Sequence, residues 1–455
     1  MKRNIEDYIR PGAKVHMVGI GGVSMAPLAE VLKGRGLAVT GSDMQESGTA
    51  AHLRSLGIPV VIGHLPQSVE GADCVIRTAA VHDDNPEIAS ARHFSIPVFE
   101  RAQAWGAIMR HYKNALCVAG THGKTTTTSM CTHIFLAAGR DPSVMIGGTL
   151  PILGAGHRVG RGDTIIAESC EYCNSFLSFA PTVAVILNVE ADHLDFFKDL
   201  DDIKASFRKF AELVPATGSV IVNNDNVGAR SIACGLDPFT FGLGEGAECT
   251  TGNLTWERGL PAFDIVVHGE KYAHVSLRVG GEHNVSNALA AASAAYVLGV
   301  PGSAVEEGLN TFTGAGRRFE KKGVFNGADV YDDYAHHPDE LQALLTMART
   351  LGYGRVICAF QPHTYTRTAA LFNDFVEVLK LADVAVVAEI YAAREQNTLG
   401  ISSLDLVQKI PGAVYCPHLE GVTDHLKAIA RPGDLILAVG AGDIYLAGEA
   451  LAAKS

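Results

Sequence analysis

Short apolar runs, each ending in a glycine-rich or polar turn, recur along the whole chain. Near the N-terminus an apolar run at 14–19 leads into a glycine-rich turn, residues 25–35 have helical spacing, and a second apolar run follows at 37–42. This order is typical of a strand–helix–strand unit with parallel strands. Further apolar runs, separated by helix-compatible segments, lie at 115–119, 164–167, 183–187, 356–360, 384–389 and 435–439. The pattern therefore predicts an α/β fold.

The length of 455 residues predicts more than one hydrophobic core. Apolar and polar residues alternate from 263 to 279, which predicts a hairpin or a mixed extension of a central sheet. The glycines at 314–316 are typical of a hinge. We therefore expect three domains: a Rossmann-like domain at 1–110, a central P-loop ATPase-type domain with a mostly parallel sheet at 111–314, and a Rossmann-like domain at 315–455.

Composition and charge narrow the class of protein. A hydrophobic content of 47% with 19% charged residues predicts a globular chain, and the net charge of −12 argues against non-specific nucleic-acid binding. The nine cysteines are scattered, and the pair Cys170 and Cys173 lacks the second pair of a zinc site, so we expect reduced thiols. The first residues lack the apolar core of a signal peptide, and the longest apolar run, at 288–300, is too short to cross a bilayer. We therefore expect a cytoplasmic protein that binds neither nucleic acid nor a membrane.

The sequence from 115 to 138 has the organisation of a phosphate-binding loop. An apolar run precedes Gly-Thr-His-Gly-Lys-Thr-Thr at 120–126, and a helix-compatible segment follows. In such a loop, backbone N–H groups and the helix N-terminus hold the phosphates of a nucleoside triphosphate. Lys124 would bridge the β- and γ-phosphates, and the Thr125 hydroxyl would reach Mg²⁺. Val118 stands where the longer form of the motif has glycine.

Metal-capable side chains follow two of the apolar runs near this loop. Glu168 directly follows one run, and His193 lies in the polar segment that follows another. Because ligands bind at the carboxyl ends of parallel strands, Thr125, Glu168 and His193 are candidates to hold Mg²⁺ or Mn²⁺ beside the γ-phosphate. The alternative is that these are ordinary surface groups, as the acids near His193 can also be, namely Glu190, Asp192 and Asp195.

The first strand–helix unit carries a second anion-binding pattern. The turn Gly19-Ile-Gly-Gly22 lies between strand and helix, and Asp43 follows the next strand, about where a dinucleotide-binding fold has its ribose-binding acid. Ser24 stands where that motif has its third small residue. NAD binding is therefore one interpretation, although no later segment indicates hydride chemistry. A non-catalytic dinucleotide-binding protein is the alternative from another functional class.

Polar groups also cluster in the last third of the chain. The segment 360–368 follows an apolar run, and its Arg367 either clamps a carboxylate with two hydrogen bonds or lies on the surface. The adjacent histidines at 336–337 are poorly placed to share one metal ion, which favours substrate or nucleotide contacts. The basic pair at 317–318 either is a solvated charge in a linker or places one guanidinium on the phosphates of ATP.

These segments together resemble the Mur ligase family, in order and along essentially the whole chain. The motifs that carry the resemblance are GIGG at 19–22, GSD at 41–43, DNPEI at 84–88, AGTHGKTTTT at 119–128, NVEADHLD at 188–195, HNVSN at 283–287, GRRF at 316–319, DDYAHHP at 332–338, FQPHTYTRT at 360–368 and GAGDIY at 440–445. The GIGG and FQPH motifs are most similar to the branch of the family that adds L-alanine. An enzyme of the same family that joins a whole peptide to UDP-muramate is the alternative.

The resemblance implies an ATP-dependent ligase of peptidoglycan precursor synthesis, which joins L-alanine to the carboxylate of UDP-N-acetylmuramate through an acyl phosphate. It implies a monomer or homodimer whose first domain binds UDP, whose second binds ATP and a divalent metal, and whose third binds L-alanine. Carried over by motif, the UDP site would consist of Gly21, Gly22, Ser24 and Asp43. The ATP site would consist of Gly120, Thr121, His122, Gly123, Lys124, Thr125, Thr126, Asn284, Arg318 and Asp333. The L-alanine site would consist of Tyr334, His336, His363 and Arg367, and the catalytic residues would be Lys124, His193 and Arg367.

Three positions depart from the family pattern. Thr364 stands where many members of the alanine-adding branch have arginine, which puts carboxylate binding on Arg367. Arg208 stands about where sister ligases have a carbamylated lysine, in agreement with the alanine-adding branch. The segment Glu-Ser-Cys-Glu at 168–171 differs from the acid-rich form of some members, and the role of Glu171 stays open.

Overall fold

The computed structural model describes residues 4–194, 196–393 and 395–453, and it divides into two compact units. The first unit contains the residues up to Thr251 together with Ile265–Ala273 and Ser286–Leu309, and the second contains Gly252–Asp264, His274–Val285 and the residues from Asn310 onward. Asp195, one of the acids considered near His193, lies outside the described residues. Within the described part of the chain, no helix combines the length and the apolar character needed to cross a bilayer.

The N-terminal sheet belongs to the first unit. Its strands are β1 (Lys14–Val18), β2 (Ala38–Asp43), β3 (Val60–Ile62), β4 (Cys74–Arg77) and β5 (Val98–Glu100). They are parallel and lie in the order β3-β2-β1-β4-β5. The helices between and after them are α1 (Met25–Gly34), α2 (Gly48–Ser55), α3 (Pro86–His93) and α4 (Arg101–Met109). The chain continues outward in opposite directions from β1, so the carboxyl end of β1 is where such a sheet binds ligands.

The central sheet has ten strands in the described residues. They are β6 (Asn114–Ala119), β7 (Ser143–Leu150), β8 (Ala155–Arg158), β9 (Thr164–Glu168), β10 (Val183–Ile186), β11 (Ser219–Asn223), β12 (Phe239–Phe241), β13 (Cys249–Glu257), β14 (Leu260–Val267) and β15 (Glu270–Ser276). Their order is β15-β14-β13-β12-β11-β10-β6-β9-β7-β8. β6 is parallel to both of its neighbours, whereas β8 is antiparallel to β7. The adjacent strands β14 and β15 confirm the sheet extension predicted from the alternation at 263–279.

In the described residues, five helices lie among or after the central strands. They are α5 (Lys124–Ala137), α6 (Leu200–Ala211), α7 (Val227–Ile232), α8 (Glu282–Val297) and α9 (Gly302–Thr311). In α6, for example, the N-cap Asp199 side chain accepts a hydrogen bond from the Asp202 backbone N–H at 3.0 Å. The same helix buries Phe207 and Phe210 completely. Capping and one apolar face together explain why this segment is helical.

The third sheet lies in the second unit. Its strands are β16 (Glu320–Phe325), β17 (Ala328–Asp333), β18 (Arg355–Phe360), β19 (Val384–Ala388), β20 (Val414–Cys416) and β21 (Asp434–Val439), in the order β16-β17-β21-β18-β19-β20. Among the described strands of this sheet, only the edge pair β16–β17 is antiparallel. The helices are α10 (Pro338–Thr350), α11 (Tyr365–Ala370), α12 (Phe372–Leu379), α13 (Ser403–Val407), α14 (Leu419–Ile429) and α15 (Tyr445–Ala452). The predicted α/β class, with mostly parallel sheets, is confirmed.

Candidate active site

The loop between β6 and α5 has the shape that its glycines permit. Gly120 and Gly123 have φ angles of +152° and +83°, which L side chains rarely adopt. A Cβ atom on Gly123 would lie 2.6 Å from the Oδ1 atom of Asn287. That same Oδ1 atom accepts a hydrogen bond from the Thr127 hydroxyl at 3.2 Å, which ties the first turns of α5 to α8. Thr125 and Thr126 follow Lys124 in the first turn of α5.

The segment after β10 holds the phosphate-binding loop in place. The Asn188 Oδ1 atom accepts from the His122 backbone N–H at 2.7 Å, and the Asn188 side-chain amide donates to the His122 carbonyl at 3.2 Å. The Glu190 backbone N–H donates to the Thr121 hydroxyl at 2.9 Å. β6 and β10 are parallel neighbours, so their carboxyl ends deliver both segments to one edge of the sheet.

Lys124 forms an ion pair inside this loop. Its Nζ atom lies 3.1 Å from the Oε2 atom of Glu171, and it also donates to the carbonyl oxygens of Gly120 at 2.5 Å and Thr121 at 3.0 Å. Glu171 is 2% exposed. Burial by itself lowers the pKa of Lys124, but the nearby acidic groups, Glu171 first among them, together outweigh that effect and hold the pKa above its ordinary value. Lys124 is therefore a charged ammonium group at the position where the loop would receive phosphates.

Glu171 also faces the predicted metal-binding histidine. The His193 Nε2 atom lies 3.9 Å from the Oε1 atom of Glu171, and the His193 ring packs at 4.8 Å against the ring of Tyr172. Glu168 ends β9, and its Oε2 atom accepts from the Gly147 backbone N–H at 2.8 Å. In the described part of the chain, the ligand atoms of Glu168, Glu171 and His193 do not all lie within 4.8 Å of one another. The structure thus places these groups around Lys124 without a closed set of three ligands.

The glycine loop after β1 is held by Asp43. The Gly21 backbone N–H donates to the Asp43 Oδ2 atom at 2.8 Å, and a Cβ atom on Gly21 would lie 2.9 Å from that oxygen. The Gly22 backbone N–H donates to the Gly19 carbonyl at 3.2 Å. Asp43 therefore shapes the loop, a role that the sequence analysis did not assign to it.

Ser24 precedes α1 at the end of this loop. Its hydroxyl accepts a hydrogen bond from the Arg101 guanidinium, and its carbonyl oxygen accepts from the Trp105 indole N–H at 3.3 Å. Both donors lie on α4, which begins directly after β5. The loop is therefore fixed from two sides, by β2 and by α4.

The second unit brings together the residues predicted to bind L-alanine. The His336 Nδ1 atom lies 3.0 Å from the Tyr334 carbonyl oxygen, and its ring lies 6.0 Å from the ring of His363. Burial, together with nearby positive charge including that of Arg367, lowers the pKa values of both imidazoles, that of His363 to about 4. Both rings are therefore neutral at pH 7. Tyr334 packs 5.4 Å from the Arg318 guanidinium.

The predicted nucleotide contacts of the second unit have local structural partners. The two carboxylate oxygens of Asp333 accept from the backbone N–H groups of Phe319 at 2.7 Å and Ala335 at 2.8 Å. Burial raises the pKa of the Asp333 carboxyl. The Arg318 Nη1 atom lies 3.9 Å from the Oε1 atom of Glu340, and the Asn284 side-chain amide donates to the Gly280 carbonyl at 2.7 Å. These contacts position the three residues within the second unit.

Several residues of the site were given no role by sequence reasoning. Glu171 and Asn188 contact the phosphate-binding loop, Arg101 contacts the glycine loop, and Glu340 contacts the second-unit cluster. Asn188 and Glu340 lie within or beside quoted motifs, which is the signal that could have found them. Arg101 has no local motif, because its partner is 77 positions away in the sequence.

Comparison with known families gives matches in the same order as the three sheets. The model described as Mur ligase family, catalytic domain, matches residues 14–113. The model described as Mur ligase middle domain matches residues 118–295, and the model described as Mur ligase, glutamate ligase domain, matches residues 317–442.

Individual proteins match over nearly the whole chain. The UDP-N-acetylmuramate–L-alanine ligase of Clostridium novyi is 45% identical over 442 residues, which cover 96% of this chain and 96% of that protein. The structure of UDP-N-acetylmuramate-alanine ligase MurC from Thermotoga maritima has a TM-score of 0.80 at 30% identity and covers 97% of this chain and 98% of that one. A murein peptide ligase from Psychrobacter arcticus has a TM-score of 0.71 at 23% identity over 97% of this chain and 98% of that one, which shows the fold alone.

Proposed function

Because the chain belongs to the Mur ligase family, we propose that it is an ATP-dependent ligase that joins L-alanine to the carboxylate of UDP-N-acetylmuramate in peptidoglycan precursor synthesis. Relatives that share 45% identity over 96% of the chain are named for this activity. The observation that carries the proposal is the loop at 120–123 with the charged Lys124 held at the start of α5. ATP is the co-substrate. We place the reaction in the cytoplasm, where ATP and UDP-linked sugars are found.

The first half-reaction needs charge neutralisation rather than an enzyme nucleophile. A carboxylate oxygen of the muramyl group attacks the γ-phosphorus of ATP, ADP leaves, and an acyl phosphate forms. Negative charge on the transferred phosphoryl group is stabilised by donors that are already in position. Lys124 fits this role because it is charged and lies at the N-terminus of α5, where backbone N–H groups also favour phosphate. Lys124 would exchange the Glu171 carboxylate for phosphate oxygens.

The residues around Lys124 fit a divalent cation. A hydroxyl, a carboxylate and an imidazole are suitable ligands for Mg²⁺ or Mn²⁺, and we propose that Thr125, Glu168 and His193 provide them. Glu171, 3.9 Å from His193, adds a second carboxylate beside the same histidine. When bound, the cation would supply further neutralisation of phosphate charge.

The second half-reaction needs a bound amino acid with a neutral amine. The amine of L-alanine attacks the acyl carbon, the carbon–oxygen bond to phosphate breaks, and inorganic phosphate leaves. We propose that Arg367 holds the alanine carboxylate, since a guanidinium can form two parallel hydrogen bonds with it. The ammonium form of alanine must first lose a proton. His336 and His363 lie in the same cluster and are neutral at pH 7, so they can accept hydrogen bonds from the amine; their lowered pKa values make them weak bases, and we assign them no proton.

Phosphate release tests the proposal directly. The full-length protein is incubated with ATP, Mg²⁺, UDP-N-acetylmuramate and one of L-alanine, glycine, L-serine or a tripeptide. We expect turnover that requires both ATP and the UDP sugar and that is fastest with L-alanine. Turnover with the tripeptide but not with L-alanine would instead indicate a peptide ligase. No phosphate release with any acceptor, together with tight NAD binding, would indicate a non-catalytic dinucleotide-binding protein.

A further inference from the structure

Cys170 and Cys173 are two exposed cysteines in the segment that follows β9. Six of the nine cysteines are buried, and the third exposed one, Cys234, has no second cysteine close to it in the sequence. In the part of the chain that the structure describes, neither thiol of the pair belongs to a group of three metal-capable side chains. Two exposed thiols three positions apart can instead form a disulfide where the backbone turns between them.

The backbone turns tightly between the two cysteines. Glu171 has φ −73° and ψ −23°, and Tyr172 begins a 3₁₀-helix that ends at Ser178. Within that helix, only Cys173 and Asn174 depart from helical angles. The residues between the cysteines thus have the angles of a type I turn, whose first and last Cα atoms lie less than about 7 Å apart. Because disulfides join Cα atoms about 4.4–6.8 Å apart, the two thiols can meet after a small adjustment of the turn.

The chain on either side of this turn is held in place. On one side, the Ser169 backbone N–H donates to the Val118 carbonyl at 2.9 Å, which continues the pairing of β9 with β6. On the other side, the buried ring of Phe176 stacks 4.5 Å from the ring of Phe210 in α6. A bond between the two thiols would therefore be accommodated by the turn itself rather than by its flanks.

The two residues inside the turn contact groups that we assign to phosphoryl transfer. The Oε2 atom of Glu171 lies 3.1 Å from the Nζ atom of Lys124, and the ring of Tyr172 lies 4.8 Å from the ring of His193. Closing a disulfide brings the two Cβ atoms to about 3.8 Å, which shifts the backbone of both residues between them. A displacement of about 1 Å at a catalytic group can lower a rate about a hundredfold. Oxidation of the thiols would thus reach Lys124 and His193 without modifying either.

We propose that Cys170 and Cys173 are an oxidation site for peroxides, and that a disulfide between them reversibly lowers the ligase activity. One thiol sulfur attacks hydrogen peroxide, the O–O bond breaks, and a sulfenic acid and one water form. The second thiol attacks the sulfenic sulfur, the S–O bond breaks, and the disulfide and a second water form. An external dithiol restores both thiols by exchange and becomes a disulfide itself. The effect on activity rests on the proposed function, whereas formation of the disulfide does not.

Mass spectrometry detects the disulfide independently of activity. The full-length protein is treated with hydrogen peroxide at mildly alkaline pH, because loss of hydration raises the pKa of the Cys170 thiol to about 11 and slows its reaction near pH 7. Catalase then removes the peroxide, and the protein is denatured, alkylated and digested with trypsin. The tryptic peptide 162–198 contains both cysteines of the turn and no other. We expect this peptide to lose two hydrogen atoms and to take up no alkylating reagent, whereas Cys234 and Cys249 in the peptide 231–258 should still be alkylated.

Phosphate release is measured on the same samples before and after oxidation. At saturating ATP, kcat of the parent protein should fall about 10- to 100-fold and should recover after treatment with dithiothreitol. Cys170→Ser and Cys173→Ser cannot form the bond, so each variant should keep the activity that it has before oxidation. The matched control is Cys234→Ser, which removes the other exposed thiol and should lose activity on oxidation as the parent does.

Three results would overturn the proposal. They are an oxidised parent protein without the disulfide in peptide 162–198, a disulfide with unchanged kcat, and an equal loss of activity in the Cys170→Ser and Cys173→Ser variants. If the reduced protein releases no phosphate with any acceptor, the proposed function fails, but the mass measurement still decides whether the thiols join. The shift in melting temperature that ATP causes then replaces kcat as the second readout, and it should differ between the oxidised and the reduced protein.

Discussion

The ion pair between Lys124 and Glu171 predicts a measurable exchange of partners when ATP binds. Glu171→Gln keeps the size of the side chain and removes its charge. Both Glu171 oxygens lie within 3.3 Å of the Lys124 Nζ atom, and Glu171 is 2% exposed. Removing one member of a buried pair costs roughly 3–5 kcal/mol. Because glutamine can still accept from Lys124, and two backbone carbonyls also accept, we expect a loss of about 1–3 kcal/mol in the free energy of unfolding.

The assay measures thermal unfolding with and without nucleotide. Without ligand, the variant should melt a few degrees below the parent protein, since about 1 kcal/mol shifts Tm by roughly 2–4 °C in a unit of 150–250 residues. With saturating ATP and EDTA the difference should shrink, because phosphate oxygens replace the lost carboxylate as partners of Lys124. By linkage, the variant should bind metal-free ATP roughly 5- to 100-fold more tightly than the parent does.

The matched control is Glu212→Gln, which removes a carboxylate from the exposed pair with Arg208 at 2.7 Å. A surface pair of this kind contributes about 0–1 kcal/mol, and it should not respond to ATP. A Glu171→Gln protein with the stability and the ATP affinity of the parent would refute the idea that Glu171 occupies the place of phosphate. Equal losses in both variants would indicate a general effect of charge instead.

Three further outcomes follow from the site. Lys124→Ala should lower kcat at least about a hundredfold in the phosphate-release assay, as loss of a transition-state charge contact does, and near-normal turnover would contradict the loop assignment. Arg367→Ala should raise KM for L-alanine and leave KM for ATP unchanged, whereas equal changes in both would argue against a carboxylate contact. Burial lowers the pKa of His133 to about 4, below its ordinary value of 6.5. The folded protein therefore binds a proton at this position less readily than the unfolded chain does. The resulting contribution to the free energy of unfolding is fully present above pH 6.5 and is lost as the pH falls toward 4. His133→Gln should therefore reduce the loss in the free energy of unfolding between pH 7 and pH 5 by roughly 2 kcal/mol. If the variant loses as much stability over this range as the parent protein, protonation of His133 is not a cause of the acid sensitivity.

Local features of the fold and of the site could be predicted from the sequence because they depend on neighbouring residues. A strand, two glycines with positive φ, and a helix lie within 25 positions around Lys124, and each signal is visible in the sequence. The predicted strand ends at Glu168 and near His193 follow in the same way from apolar runs. The sheet order then brings these ends together, because β9 and β10 both lie beside β6.

Contacts between distant residues could not be predicted in this way. Lys124 and Glu171 are 47 positions apart, and the irregular segment that carries Glu171 has positive φ angles at Cys173 and Asn174. The pairing of Arg101 with Ser24 depends on how α4 packs against the start of α1. Neither geometry has a periodic signal, since side-chain direction in an irregular segment depends on the surrounding fold rather than on spacing.

Thr364 shows how the fold limits what a departure from the family pattern can do. Its backbone is fixed on both sides: its N–H donates to the Tyr391 carbonyl, beyond the end of β19, at 2.9 Å, and its own carbonyl accepts from the Thr368 hydroxyl in α11 at 2.7 Å. Its φ angle is +69°, a strained value for a β-branched residue, and the cost of about 1–3 kcal/mol is of the kind found at functional sites. An arginine there would meet the same backbone constraint, so threonine removes a charge without freeing the turn. Arg367, three positions further and within electrostatic range of both His336 and His363, then supplies the positive charge that helps to keep those imidazoles neutral. The same charge can attract an amino-acid carboxylate while the neutral rings accept hydrogen bonds from its amine, so one guanidinium serves both needs of this cluster.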